Sequence, residues 1–300
     1  MSQWNVAQSL ETTELPRATN ELRRFLRVFL GRPVVIFGAI VIIAFMFAAA
    51  FPSVVALHDP IEQDLMKRLL KPGEKGHILG TDALGRDLFS RIVYGSRTAI
   101  LVGVVALSLS AIIGTILGLT AGYFGGITYA VIMRFIDALM TFPPILLALT
   151  IAALLGGGLL NVMIALGIGM MPGYARVMCG QAITTRENDY VLCARSFGAT
   201  NIRIMFRHVL PNCIPPMIVL MTMMIGITIL AEAGLSFLGV GITPPTPAWG
   251  SMVYEGYTYL LTDPMLSFVP GITVMIVVFS FNMVGDGIRD AIDPSLRGTL

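Results

Sequence analysis

The sequence predicts an all-α, polytopic membrane protein with six transmembrane helices. Three observations carry this reading. Of 300 residues, 55% are hydrophobic and 13% charged, whereas a soluble globular chain carries about 25% charged residues. The mean hydropathy is +0.80. The apolar residues also gather into long runs, each near the ~20 residues needed to cross a bilayer.

The elements follow in order. Residues 1–33 form a polar tail that ends in Arg23, Arg24, Arg27 and Arg32. The first span is Val34–Val55. Ala48 and Ala50 resemble an A-x-A cleavage site, but a signal peptide has an apolar core of about 7–15 residues near its start. This run is longer and later, so an uncleaved first span is expected. Residues 56–98 read as a polar insertion, with Pro72-Gly73 and several more glycines as turn signals in KPGEKGHILGTDALGRD. Within it, Leu84 to Tyr94 reads as an amphipathic helix.

Five further spans, Ala99–Ala121, Ala130–Leu155, Leu159–Met178, Cys213–Gly234 and Met265–Asn282, make up a core over residues 99–300. Arg134 and Asp137 stand near the start of the third span, at the spacing of a local helix pair. Arg176 stands at the end of the fourth. After the fifth, the prolines of TPPTPAWG keep Ile242 to Pro264 irregular or extended.

Charge orients the bundle. With the N-terminus in the cytoplasm, Arg17, Arg23, Arg24, Arg27 and Arg32 lie inside before the first span. Arg134, Arg176, Arg186, Arg195, Arg203, Arg207, Arg289 and Arg297 lie inside as well. The remaining Lys67, Arg68, Lys71, Lys75, Arg86, Arg91 and Arg97 all sit in the first outer loop. That loop is rich for an outer one, but the arginines ahead of the first helix usually dominate. Both termini are then cytoplasmic.

The chain offers little for catalysis. A net charge of +2 gives no case for a nucleic-acid partner. Cys179, Cys193 and Cys213 have no framework spacing and read as small apolar fillers. His58, His77 and His208 are scattered, with no HExxH motif. Asp286 and Asp290 stand four apart, but a solvated helix end accounts for them. No lysine is followed by Ser or Thr, so the chain has no P-loop for ATP and Mg²⁺. Glu232, in LAEAGLSFLGVG, is an acid at membrane depth and a candidate translocation-path residue. Its bland alternative is an interfacial carboxylate holding backbone groups. Gly114, Gly118, Gly122 and Gly126 recur every four residues and mark a face for close helix packing.

The segment from Glu187 to Asn212, within a loop spanning residues 179–212, is too polar to cross a membrane. It exceeds the ~2–8 residues that usually join packed helices. Tyr190, Val191, Ala194 and Phe197 form one helical stripe, and Ile202, Met205, Phe206 and Val209 a second. Gly198 between them allows a turn. Pro211 is expected to stop the second helix and Asn212 to cap the next span. Periodicity alone leaves docking to a partner and lying on the lipid surface equally open.

YVLCARSFGATNIRIMFRHVLPN resembles the cytoplasmic signature loop of permease subunits of ABC importers, in the form of the dipeptide, oligopeptide and nickel class. Ala194, Gly198, Leu210 and Pro211 match the signature, while Leu192, Cys193 and His208 depart from it. LGTDALGRDLFSRIVYGSR, AEAGLSFLGVGITPPTPAWGSM and FNMVGDGIRDAIDPSLR are similar to further blocks of that class, in the same order. The resemblance implies a type I ABC importer permease fold in the bacterial inner membrane, surrounded by lipid. It also implies a coupling helix through which Tyr190, Ala194, Arg195 and Gly198 dock on an ATPase subunit. It implies as partners a second permease, two ATPase subunits that hold ATP and Mg²⁺, and an extracytoplasmic substrate-binding protein. The chain itself is expected to hold no cofactor and to catalyse nothing. The rival reading is an ion-coupled secondary transporter working through Glu232 and Asp137.

Overall fold

The computed structural model describes residues 29–292, and these are helical almost throughout, with no strand among them beyond one isolated bridge between Thr81 and Asp87. The tail arginines ahead of Arg32, together with Asp293 and Arg297, lie outside the described residues. Five helices are long and apolar enough to cross a membrane, and a sixth crossing is formed if a bent pair counts as one span.

Helix α1, Pro33–Ala50, begins on a proline. Proline suits the first helical turn because its missing N–H has no intrahelical partner there. Its small face meets the last helix: a Cβ on Gly38 would stand 2.9 Å from the Ser280 carbonyl oxygen. A single turn, Pro52–Val55, follows before the polar insertion.

Helix α2, Leu88–Phe124, has 37 residues, about 55 Å at 1.5 Å per residue. The expected short helix at Leu84–Tyr94 and the span at Ala99–Ala121 are thus largely one rod. No proline interrupts it. Asp87 caps its start, accepting a hydrogen bond from the Ser90 N–H at 2.7 Å. The end nearest the insertion is held by charge rather than lipid. Arg86 donates to Asp82 and to Glu255, each at 2.6 Å, and Arg91 stands behind it, 1% exposed.

The expected third span is broken. Helix α3, Gly126–Met140, and helix α4, Pro144–Leu155, meet at an angle of 87°. Pro143 and Pro144 remove two successive donors, and Pro143 also pushes Phe142 out of the helical region. Helix α5, Leu159–Arg186, outlasts the expected span by two turns. Helix α6 is Asp189–Ser196.

The next helix departs from expectation at Pro211, which does not stop it. An α-helical turn, Asn201–Ile204, passes through a π turn, Met205–Val209, into Leu210–Phe237. The whole, α7, is continuous over Asn201–Phe237. The Leu210 N–H reaches back to the Met205 carbonyl, and that widened turn lets the helix absorb a residue with no donor. Asn212 caps backwards, donating from Nδ2 to the His208 carbonyl at 2.6 Å. Beyond the prolines of TPPTPAWG the outer segment is not irregular: it forms helix α8, Trp249–Tyr257. Helix α9, Met265–Ile292, then runs well past Asn282. Its Asp290 pairs with Arg32 at 2.5 Å, while Asp286 is exposed.

Candidate functional site

Two adjoining features could do work: the polar element between α5 and α7, and a cavity beside the broken span.

The element is built on a helix stop. Gly198 takes φ +76°, a conformation that only glycine adopts without strain. The Gly198 N–H donates to the Arg195 carbonyl at 3.0 Å and the Ala199 N–H to the Ala194 carbonyl at 3.1 Å. These two bonds define a Schellman motif ending α6. The Thr200 side chain then caps α7, accepting from the Arg203 N–H at 3.4 Å.

Each expected stripe divides between two directions. Val191 is fully buried, and Ala194 and Ala199 pack against the same cluster, which contains Tyr123, Met178, Ala182, Ile204, Met205, Val209 and Cys213. Facing away from it are Tyr190, Leu192, Arg195 and Gly198, with Ile202, Phe206 and Pro211. Phe197 is 91% exposed. Leu210 is half-buried. Ile204, absent from the expected stripes, is fully buried.

The element is tied to the bundle at two points. Arg186, the last residue of α5, donates from Nη1 to the carbonyls of Gly122 and Tyr123 at 2.9 and 3.3 Å. These carbonyls belong to the last turn of α2, where backbone oxygens lack helical partners and a cation is favourable. The Tyr123 hydroxyl donates to Asn201 Oδ1 at 3.0 Å.

Beneath it, Gly114, Gly118 and Gly122 allow α2 to lie against α5. A Cβ on Gly118 would stand 2.3 Å from the Ala175 carbonyl oxygen, and one on Gly122 would stand 2.6 Å from that of Cys179. Their partner is therefore within this chain. Gly126 does not share the face. It follows the helix end, at φ +50°, with open space around it.

The remaining candidates are also placed. Glu232 is 1% exposed and accepts a hydrogen bond from Ser236 Oγ at 2.7 Å. Ser236 Oγ in turn accepts from the Ile242 N–H at 3.0 Å. The chain from carboxylate to backbone pins the loop after α7. Asp137 does not pair with Arg134: its partner is Arg176 of α5. Cys179 and Cys213 are buried, but Cys193 is exposed and fills no core.

The cavity of about 330 Å³ opens where α3 and α4 diverge. Met140, Phe142, Met170, Tyr174, Leu220 and Met224 are among its walls. Tyr174 is 2% exposed, and its hydroxyl has no hydrogen-bond partner among the described residues. Glu232 does not line this cavity. Sequence reasoning missed the cavity, although Pro143-Pro144 was the signal that could have found it.

The geometry is that of a bundle of membrane-length helices with a folded helix-turn-helix tied to its end. Residues 114–298 match the family of binding-protein-dependent transport system inner membrane components. Residues 21–72 match the N-terminal transmembrane domain of oligopeptide transport permease C. The chain belongs to the binding-protein-dependent transport system inner membrane component family. It is 37% identical to the glutathione transport system permease protein GsiD of Pectobacterium atrosepticum, over 92% of this chain and 91% of that one. It is 39% identical to the probable D,D-dipeptide transport system permease protein DdpC of Escherichia coli, over 89% and 90%. It is also 39% identical to the di/tripeptide transport system permease protein DppC of Pseudomonas aeruginosa, over 92% and 93%. A solved structure of the MetNI methionine ABC transporter, in an inward-facing conformation, has a chain that superposes with a TM-score of 0.54. The match covers 68% of this chain and 97% of that one, at 18% identity. That likeness concerns the fold.

Proposed function

We propose that this chain is one of two different permease subunits in an ATP-driven importer of peptides or similar small solutes. The element between α5 and α7 is where it docks an ATPase subunit. Tyr190, Arg195 and Gly198 meet that subunit together with Leu192 and Phe197, while Ala194 and Leu210 support them from beneath and Pro211 borders the patch. Two ATPase subunits bind ATP and Mg²⁺, and an extracytoplasmic protein delivers the solute. The chain sits in the bacterial inner membrane with both termini in the cytoplasm. Its parts are the tail 1–33, a first helix over 34–55, an outer insertion over 56–98 and a core over 99–300 that carries the coupling loop 179–212.

The observation that supports this reading best is the exposed phenyl ring of Phe197, at 91% exposure on a turn that is itself rigidly closed. Phe197 shares the exposed side of the element with Tyr190, Leu192, Ile202 and Phe206, and a group of exposed apolar side chains, unlike a lone one, marks an interaction surface. The names of the relatives favour peptides as the solute. The cavity beside Phe142 and Tyr174 is the better candidate for the translocation path than Glu232, whose carboxylate is committed to Ser236. The ion-coupled alternative finds no support in the family, and Asp137 is likewise committed, to Arg176.

The test is Phe197→Asp in the complete transporter. The ring makes no core contact, so membrane insertion and thermal stability stay unchanged. Co-purification of the ATPase and solute uptake both fall by tenfold or more. Uptake at the wild-type rate would refute the docking role.

A further inference from the structure

The polar insertion contains a second constellation that the transport reading does not use. His58, His77 and Asp87 come from three separate stretches of chain, yet their ligand atoms all lie within 4.8 Å of one another. His77 Nδ1 stands 2.8 Å from Asp87 Oδ1, and His58 Nδ1 stands 3.7 Å from the same oxygen. The two imidazoles stack, with centroids 4.4 Å apart and planes at 29°. The other oxygen, Oδ2, is occupied in capping α2 through the Ser90 N–H. The Ser90 hydroxyl in turn accepts from the His58 N–H at 3.1 Å, which fixes the backbone of the third residue.

The charge balance is unusual. Asp87 is 3% exposed, and a buried carboxylate needs a compensating cation or several donors. The neighbouring arginines are committed elsewhere, Arg86 to Asp82 and Glu255 and Arg91 behind them. Among the described residues only the two histidines come within ion-pair distance of Asp87. At 3.7 Å, His58 Nδ1 is also too far for a hydrogen bond to it.

We propose that His58, His77 and Asp87 form a binding site for a divalent transition-metal ion, Zn²⁺ or Ni²⁺ in class. Ligand atoms bonded at ~2.0–2.1 Å to one ion stand roughly 2.8–3.4 Å apart at octahedral or tetrahedral angles. The 2.8 Å separation lies at the short end of that range and the 3.7 Å one just beyond it, so His58 must swing out of its stack on His77 and toward Asp87 to complete the set. Two imidazoles and one carboxylate select this class over Mg²⁺ and Ca²⁺, which prefer oxygen alone. His77 and Asp87 are buried, whereas the His58 side chain is 37% exposed, which gives the ion an entry and leaves room for water as a further ligand. The bound ion neutralises Asp87 and staples the start of the insertion, through His58, to the first turn of α2.

The experiment uses the full chain in detergent, with an affinity tag free of histidine, stripped with chelator and titrated calorimetrically with ZnCl₂ and NiCl₂. Wild type takes up one ion per chain and gains thermal stability. Excess Mg²⁺ or Ca²⁺ does not displace the ion. His58→Ala, at the exposed ligand, keeps its metal-free unfolding temperature but binds about tenfold more weakly or worse. Asp87→Asn, which retains a capping side chain, also loses binding. His208→Ala, at the histidine outside the cluster, binds as wild type. No stoichiometric uptake by wild type, or equal affinity in His58→Ala and wild type, overturns the site and leaves a hydrogen-bonded His–Asp pair. The docking test at Phe197 is unaffected by either result.

Discussion

Replacing Gly118 by alanine adds one methyl group where α2 crosses α5. The new carbon would stand 2.3 Å from the Ala175 carbonyl oxygen, 2.8 Å from Met178 Cβ and 2.9 Å from the Cys179 N. Two of these three neighbours are helix backbone, so no side-chain rotation relieves the clash. Ordinary contact begins at 3.4 Å, so the helices must part by about 1 Å. Gly114 and Gly122, one turn to either side, face the same helix with Cβ contacts of 2.6 Å, so the parting also loosens their packing. Overpacking of this kind costs ~1–3 kcal/mol. The gain from replacing glycine in a helix, roughly 0.5–1 kcal/mol, offsets only part of it. The control is Gly180→Ala on α5, where a Cβ meets nothing within 4 Å. That variant keeps the propensity gain and is neutral or slightly stabilised. The assay is thermal unfolding of both purified variants in one detergent, with ~2–4 °C expected per kcal/mol. If Gly118→Ala melts with or above Gly180→Ala, the close approach of α2 and α5 is not as described.

Other perturbations isolate single contacts. Arg86→Met removes both 2.6 Å bonds and leaves Asp82 and Glu255 with only the more distant Arg91, at 3.7 and 3.5 Å, and losing one partner of such a largely buried arrangement costs about 3 kcal/mol; chemical denaturation of the variant measures it, and a loss under 1 kcal/mol would contradict the burial. Trp249→Phe removes the indole hydrogen bond to the Ile92 carbonyl at 3.0 Å and costs roughly 1 kcal/mol, while keeping most of the ring packing against Phe45. A Cβ at position 198 would meet no atom within 4 Å, so the effect of Gly198→Trp comes from backbone strain of ~1–3 kcal/mol and from a bulky ring on the proposed docking face. Uptake is lost while the chain still inserts, and normal uptake would count against the docking role.

Five of the six expected spans, and their order, were legible because membrane helices must be long and apolar, and that constraint is written directly in composition. Where reading failed, a local rule was overridden or overlooked. Pro211 is a helix stop by propensity, yet the π turn before it removes the conflict. Pro143-Pro144 is the reverse case: the run Ala130–Leu155 is apolar enough to look like one crossing, and hydropathy cannot see two missing donors. Arg176 pairing with Asp137 joins α5 to α3, a contact that no spacing along one helix reveals. The glycine stripe was readable as a close-packing face as far as Gly122, where α2 is nearly over. At the site, the turn at Gly198 was visible in sequence. The split of each stripe into an inner and an outer half was not, because amphipathic spacing names one apolar face and this element has two. The cluster of His58, His77 and Asp87 was invisible for a simpler reason. The residues reach one another only after the insertion folds back on the start of α2.

The two ties at the end of α2 bear on how the proposed docking element would transmit force. A pull on α6 is useful only if it moves the bundle rather than flexing a linker. Here α6 is joined to α5 by Glu187 and Asn188 alone, and α5 is locked to α2 through the glycine face. Arg186 and Tyr123 then close the loop, one binding the end of α2 to the end of α5 and the other binding it to the start of α7. Three helices therefore meet the element as one mount. Cutting a tie should uncouple the machine without undocking it. Arg186→Ala frees two terminal carbonyls of α2 at a cost of about 1 kcal/mol, small enough for the fold to survive. In the assembled transporter, reconstituted in vesicles, the expected signature is ATP hydrolysis near the wild-type rate with solute uptake reduced several-fold. Loss of both in proportion would assign Arg186 to docking instead. Retention of both would mean that the coupling motion does not run through α2.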